Sequence, residues 1–215
     1  MKIGVFDSGV GGLSVAKAIQ TALPDDEVVL REDKLHVPYG NRPPTEILGF
    51  VVPIFEDMIR DGCQVIVVAC NTVSTTLIDP LRQRFNLPLV AIEPMVKPAA
   101  SLTKSSIIAV CATPTTLASQ RYAWLKQQYA AGLTVLEPDC SDWALMIEGN
   151  RVDHQKIDRR IDEVLTAGAD VIVLACTHYH WIEAEIAKLV AGKAAVLQPE
   201  PAIIKQLKRV LERLA

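Results

Sequence analysis

A chain of 215 residues, half of them hydrophobic and 22% charged, is long enough for one large domain or two small ones and too apolar to stay disordered. Its 22 Lys and Arg against 25 Asp and Glu leave a net charge of −3 with the signs interspersed, which offers no basic footprint to nucleic acid or to an anionic membrane. The opening MKIGVFDSGVGG puts a charge and glycines where a secretion signal carries its apolar stretch, and no apolar run approaches the ~18 residues of a membrane span, so a cytoplasmic protein is expected.

In chain order, IGVF (3–6) reads as a strand that leads through a glycine-rich turn into a helix from about Leu13. EVVL (27–30) is a second strand, followed by a helix over Thr45 to Asp61, the strand VIVVA (65–69) and a helix from Ser74. After Val90 the pattern restarts with SIIAV (106–110), a helix from about Thr116, another around Gln155 to Ala167, the strand VIVLA (171–175) and a further helix. A last helix from about Ala202 carries Ile203, Ile204, Leu207, Val210, Leu211 and Leu214 on one side. Lys205, Lys208, Arg209 and Arg213 form the other, a solvated face. Short β-rich runs alternating with amphipathic stretches predict parallel sheets.

The two stretches repeat one another. DGCQVIVVACNT (61–72) matches AGADVIVLACTH (167–178) at six of twelve positions with an offset of 106. At an offset of 105, Ile3 and Val5 fall on Ile108 and Val110, Ser8 on Thr113 and Ser14 on Ser119, and Glu93-Pro94 is echoed by Glu200-Pro201. The expected fold is therefore two pseudo-symmetric α/β domains with parallel-sheet cores, built from residues 1–94 plus 200–215 and from 95–199. The site is expected in the cleft between them, outside the carboxyl ends of the strands.

Five cysteines (63, 70, 111, 140 and 176), odd in number and without a CxxC pair, argue against a disulfide framework or a zinc ribbon. A lone cysteine at a strand end is ordinarily a small buried hydrophobe. Cys70 and Cys176, however, stand at equivalent strand ends of the two halves, where pseudo-twofold symmetry aims both thiols at one cleft. Packing is the expectation for Cys63, Cys111 and Cys140. Asp7 leads into Ser8-Gly9-Val10-Gly11-Gly12, a turn open to close approach by a ligand before a helix N-terminus. The spacing is neither GxGxxG nor a P-loop, and a small carboxylate fits as well as a nucleotide. Pro38-Tyr39-Gly40 is a turn with an aromatic hydroxyl, and Thr113, Thr115, Thr116 and Ser119 make a hydroxyl-rich junction; each alone is ordinary loop chemistry. His178 admits a structural role or a zinc site with Cys70, Cys176 and Asp7, but no metal-ligand spacing supports the latter and no metal is expected.

Taken together, FDSGVGGLSV (6–15), VPYG (37–40), ACNTVS (69–74), EPMVKPA (93–99), ATPTTLASQRY (112–122) and CTHY (176–179) resemble the glutamate racemases, the cofactor-independent amino-acid racemases of bacterial cell-wall synthesis. The resemblance implies Cys70 and Cys176 as the two acid/base thiols, with Asp7, Ser8, Tyr39, Gly40, Asn71, Thr72, Thr177 and His178 binding or assisting the substrate. Glu148, in ALMIEG, falls near the position of a helper carboxylate, though a surface glutamate is an equal reading. The chemistry agrees: inverting an α-carbon needs proton removal on one face and return on the other, which two opposed thiols provide. The backbone around Ser8, Asn71, Thr72, Thr113 and Thr177 is then expected to meet the developing charge.

The resemblance further implies interconversion of L- and D-glutamate without a cofactor, D-glutamate supply for peptidoglycan, and a homodimer. Racemisation of another amino acid, or a catalytically silent protein that binds a small carboxylate and regulates a partner, are the competing expectations. Arg31 to His36, His180-Trp181 and Gln198-Pro199-Glu200 depart from the family pattern, and the chain stops soon after its last helix where many members carry a further segment. These departures bear on substrate preference and rate more than on fold.

Overall fold

The structure is a computed structural model and describes residues 1–214. The first sheet holds β1 (Lys2–Asp7), β2 (Glu27–Glu32), β3 (Val65–Val68) and β4 (Leu89–Ala91); the second holds β5 (Ile107–Ala112), β6 (Thr134–Leu136), β7 (Val171–Ala175) and β8 (Ala195–Leu197). All neighbours are parallel, and the orders β2-β1-β3-β4 and β6-β5-β7-β8 are the same arrangement written twice. The register repeats too: Ile3 faces Val65 in one central pair and Ile108 faces Val171 in the other. Those residues are related by the offsets of 105 and 106 found in the sequence. Two α/β halves with parallel-sheet cores are thus the architecture.

Because the central strands are buried on both faces, alternate residues feed two separate cores. In the first half, Ile3, Val5, Val65 and Val67 pack on α1 (Gly12–Ala22). Phe6, Ile66 and Val68 pack on α2 (Pro44–Arg60) and α3 (Asn71–Arg84) through Phe55, Met58, Leu77 and Leu81. In the second half, Ile108, Val110, Val171 and Val173 meet α4 (Val96–Leu102) and α6 (Gln120–Tyr129). Cys111, Ile172 and Leu174 meet α7 (Trp143–Glu148), α8 (His154–Thr166) and α9 (Glu183–Val190) through Trp143, Ile161 and Ile186. The last helix, α10 (Glu200–Leu214), follows the second sheet in the chain but packs Ile203, Leu207 and Leu211 against the first. Its Lys205, Lys208, Arg209 and Arg213 are exposed as expected. Leu214, expected on the apolar side, is exposed because it lies one turn beyond the last buried contact at Leu211.

Local structure departs from the sequence reading in three places. The helix after β3 starts at Asn71, directly after Cys70, rather than at Ser74. Asn71, Thr72, Val73, Ser74 and Thr75 are poor helix formers but all are buried, and packing overrides propensity. The helix expected from Thr116 is two: α5 (Pro114–Leu117), with Thr113 accepting from Thr116 N at its N-cap, and α6, where Ser119 accepts from Tyr122 N at 3.1 Å. The edge strands β4, β6 and β8, three residues each, and α4 and α7, of seven and six residues, are too short to display a period.

Leu207→Ala empties a fully buried position beneath α10. It should lower stability by about 2–5 kcal/mol, read as a reduced urea midpoint; a change under half of the lower figure would mean that α10 contributes little to the first half.

Candidate active site

The carboxyl ends of β1 and β3 face those of β5 and β7, and the residues just past each strand fill the space between them. Cys70 ends the β3 segment in an extended conformation at the N-cap of α3, 4% exposed, with its Sγ 3.5 Å from Ser8 Oγ. Cys176 holds the matching place after β7, 7% exposed, at the N-cap of the short 3₁₀ turn Thr177–Ile182. Its Sγ lies 3.8 Å from Nδ1 of His178. Two hydrogen bonds cross between the halves at this level: Thr177 Oγ1 donates to Asp7 Oδ1 at 3.1 Å, and Thr72 Oγ1 pairs with Thr113 Oγ1 at 3.1 Å.

Glycines allow that approach. A Cβ on Gly11 would sit 2.6 Å from the backbone carbon of Thr177, and one on Gly40 would sit 2.7 Å from Cβ of Thr113, both inside contact distance. The turn carrying Tyr39 and Gly40 is also tied to the second half by Thr115, whose hydroxyl donates to Gly40 O at 2.7 Å.

The two thiols have different ionisable neighbours, Asp7 at Cys70 and His178 at Cys176. Burial, and then the charge of Asp7, push the Cys70 thiol up to about 12, while Ser8 and the Val73 amide oppose the shift; negative charge on Cys176 also disfavours ionisation of Cys70. At the other thiol, burial pulls the His178 imidazole down, but its contacts with Cys176 and Glu148 outweigh burial and raise it to about 10. His178 Nε2 lies 2.7 Å from Glu148 Oε2, which also accepts from the Val10 amide at 3.1 Å. The His178 contact holds Glu148 below the usual carboxylate range against the effect of burial. Asp7, fully buried, is raised by desolvation, opposed by the His178 charge, the Gly9 amide and the Thr177 hydroxyl.

Asn71 stands at the first turn of α3, 3% exposed, with Oδ1 and Nδ2 both buried and without a hydrogen-bond partner. It is an unpaired polar group that follows Cys70 directly in the chain. Among the described residues no group of three or more His, Cys, Asp or Glu is arranged to hold a metal ion.

Comparison with known proteins bears on this arrangement. The family model for Asp/Glu/Hydantoin racemases matches residues 9–207. The chain belongs to that family. Among its relatives, the glutamate racemase of Deinococcus radiodurans is 36% identical, the alignment covering 99% of this chain and 76% of the relative. The glutamate racemase of Pseudomonas aeruginosa strain PAO1 is also 36% identical, over 99% of this chain and 82% of its own length. The crystal structure of Escherichia coli glutamate racemase in complex with L-glutamate and the activator UDP-MurNAc-Ala superposes with a TM-score of 0.90 at 29% identity, covering 98% of this chain and 82% of that one. Within the racemase family these relatives place the chain with the glutamate racemases.

In this racemase the structure gathers most of the candidate residues, while the Tyr39 hydroxyl is turned to Asp33. Asp7, Ser8, Cys70, Thr72, Thr113, Cys176, Thr177, His178 and Glu148 are joined by the contacts above, with Asn71 between Cys70 and Thr72 and Gly40 against Thr113. Glu148 is not a free surface glutamate, since it bonds both His178 and Val10. Cys63, Cys111 and Cys140 pack in the cores as expected. One residue escaped the sequence reading: Asp33, 6% exposed just past β2, accepts from the Tyr39 hydroxyl at 2.5 Å and contacts His36 Nδ1 at 2.8 Å. Burial, followed by this carboxylate, raises the Tyr39 phenol. The signal available was its place, an acid at the carboxyl edge of the sheet six residues before the aromatic turn.

A pH test isolates the His178–Glu148 pair. The His178 pKa of about 10 in the fold exceeds its ordinary 6.5. The stabilisation is therefore fully present below the lower value and disappears as pH rises through the upper one. Glu148→Gln should lower stability by about 1.5–3 kcal/mol at pH 6, the worth of a charged hydrogen bond, and by progressively less toward pH 10. Urea midpoints measured across that range check it; a difference independent of pH would show that His178 does not carry the proton.

Proposed function

We propose that the protein interconverts L- and D-glutamate by a two-thiol mechanism in which Cys70 and Cys176 work on opposite faces of the α-carbon. The observation that carries this reading is the pairing of two buried thiols at equivalent strand ends, one beside a carboxylate and one beside an imidazole. For one enantiomer, the Cys176 thiolate, with protonated His178 as its counter-ion, takes the α-proton and becomes a thiol. The Cys70 thiol returns its proton to the other face and becomes the thiolate. For the other enantiomer the roles exchange, and Asp7, raised by burial, is the acid and base that serves Cys70 as His178 serves Cys176.

Charge that develops on the α-carbon and its carboxylate is met by donors fixed beforehand: the hydroxyls of Ser8, Thr72, Thr113 and Thr177, the Asn71 amide and the free N–H groups at the start of α3. Tyr39 and Gly40 close the same space from the first half. The reaction as written moves one proton out and one in and calls for no cofactor. In this reading the enzyme is a cytoplasmic homodimer that supplies D-glutamate for peptidoglycan. The names of the relatives favour glutamate as substrate.

Proton NMR of L-glutamate with the reduced protein in D2O, followed alongside optical rotation, is the direct test. Loss of the α-proton signal with falling rotation is the expected result. Cys70→Ala and Cys176→Ala should each reduce the racemisation rate by roughly 10²–10⁴-fold or more, the scale of a lost acid/base group, with unchanged circular dichroism. Folded wild-type protein that exchanges no α-proton, or a single variant with full activity, would overturn the mechanism.

A further inference from the structure

The turn that follows Cys176 is held by a second set of contacts that the chemistry above does not use. His180, two residues past His178, has a side chain 2% exposed, and its Nδ1 lies 2.7 Å from Glu200 Oε1. The same nitrogen lies 3.2 Å from Ser14 Oγ, and the Ser14 hydroxyl donates to Gly11 O at 3.0 Å. Trp181 Nε1 donates to Val10 O at 3.2 Å. One imidazole thus joins the turn behind the second thiol, the first turn of α1 and the first residue of α10.

As a source of stability this cluster is poor. A buried histidine–carboxylate pair loses its hydration on folding, and an apolar pair of similar volume commonly holds a core together as well or better. Here the loss is compounded, because His180 Nε2, Glu200 Oε2 and the neighbouring Gln198 Nε2 are buried without hydrogen-bond partners. An apolar pair would not supply direction. The shared Nδ1 contact sets the position and rotation of the His180 ring, and the ring sets the backbone of a 3₁₀ turn only six residues long. Thr177 and His178 in that turn reach Asp7, Cys176 and Glu148. A small shift there displaces the base relative to the α-carbon, to which proton transfer is steeply sensitive.

We infer that the His180–Glu200 pair, seated on Ser14, is a positioning device for the second thiol, aligning Cys176 and His178 without touching the substrate. The inference rests on the two-thiol reading above. It has a directional consequence. When substrate deuterated at the α-carbon turns over in ordinary water, deuterium slows only the abstraction, while the opposite thiol returns a proton drawn from water. Misplacing Cys176 therefore raises the isotope effect on kcat/KM for the enantiomer that Cys176 deprotonates and lowers it for the other.

The experiment compares wild type with His180→Leu/Glu200→Leu and with Glu200→Gln, using both α-deuterated enantiomers of glutamate. Cys176→Ser and Cys70→Ser serve as references for the direction of the asymmetry. The double variant is expected to keep a urea midpoint at or above wild type, to lose on the order of ten- to a hundredfold in kcat, and to shift the isotope effects in the pattern of Cys176→Ser. Glu200→Gln, which keeps an acceptor for Nδ1–H, should recover most of the loss. Wild-type isotope effects in the double variant, an equal change for both enantiomers, or the pattern of Cys70→Ser would each overturn the inference. Wild type run alongside separates the causes: no exchange there removes the two-thiol reading and this device with it, whereas normal exchange with a symmetric response in the variant removes the device alone.

Discussion

Where the ends of two parallel sheets meet, polar residues from four strand ends must share a space closed to water. Asp7, Ser8, Asn71, Thr72, Thr113, Thr177 and His178 are all at most 4% exposed. Buried polar atoms need partners, and four of these residues find them in the opposite half, Thr177 on Asp7 and Thr72 on Thr113, with Thr115 on Gly40 and Glu148 on the Val10 amide adding two further crossings. The same bonds that hold the halves together therefore orient the groups proposed to act. The proposed binding surface and the domain contact are one set of atoms, which is why substitutions here are expected to disturb geometry before they disturb either core.

On that symmetric frame the chemistry is unsymmetric. The position matching Asp7 is Ala112, and the position matching His178 is Thr72. Each half kept its thiol and only one acquired each charged neighbour, an acid on one side and a base on the other. A carboxylate beside Cys70 makes ionisation there harder, whereas the neighbour of Cys176 is an imidazole whose own pKa is raised by its contacts.

Much of this was legible in the chain. The offsets that align 61–72 with 167–178 reappear as strand register, because a buried central strand leaves little freedom in composition and its β-branched runs stand out. Cys70 and Cys176 were readable for the same reason, as the first residues past such runs. What was not legible depends on partners remote in sequence. Asp33 lies in a segment with no period, and its significance comes only from the Tyr39 hydroxyl aimed at it. Glu148 is balanced evenly between a helper carboxylate and a surface residue until the fold sets it on His178, 30 residues away. His180 and Glu200 stood out separately as departures from the family pattern; only the fold shows that they are the two ends of a single contact.

The route of the chain through the halves also orders their assembly during synthesis. The first sheet is complete once β4 has been made, yet the face formed by Ile3, Val5, Val65 and Val67 lacks the cover of Ile203, Leu207 and Leu211 until α10 follows. Every element of the second half is translated in that interval. On a ribosome, the half begun first is thus finished last, and an oily strip on it waits through the folding of its twin. Nascent chains stalled before α10 would expose that strip to chaperones or to one another, a hazard that the second half, contiguous in sequence, does not share.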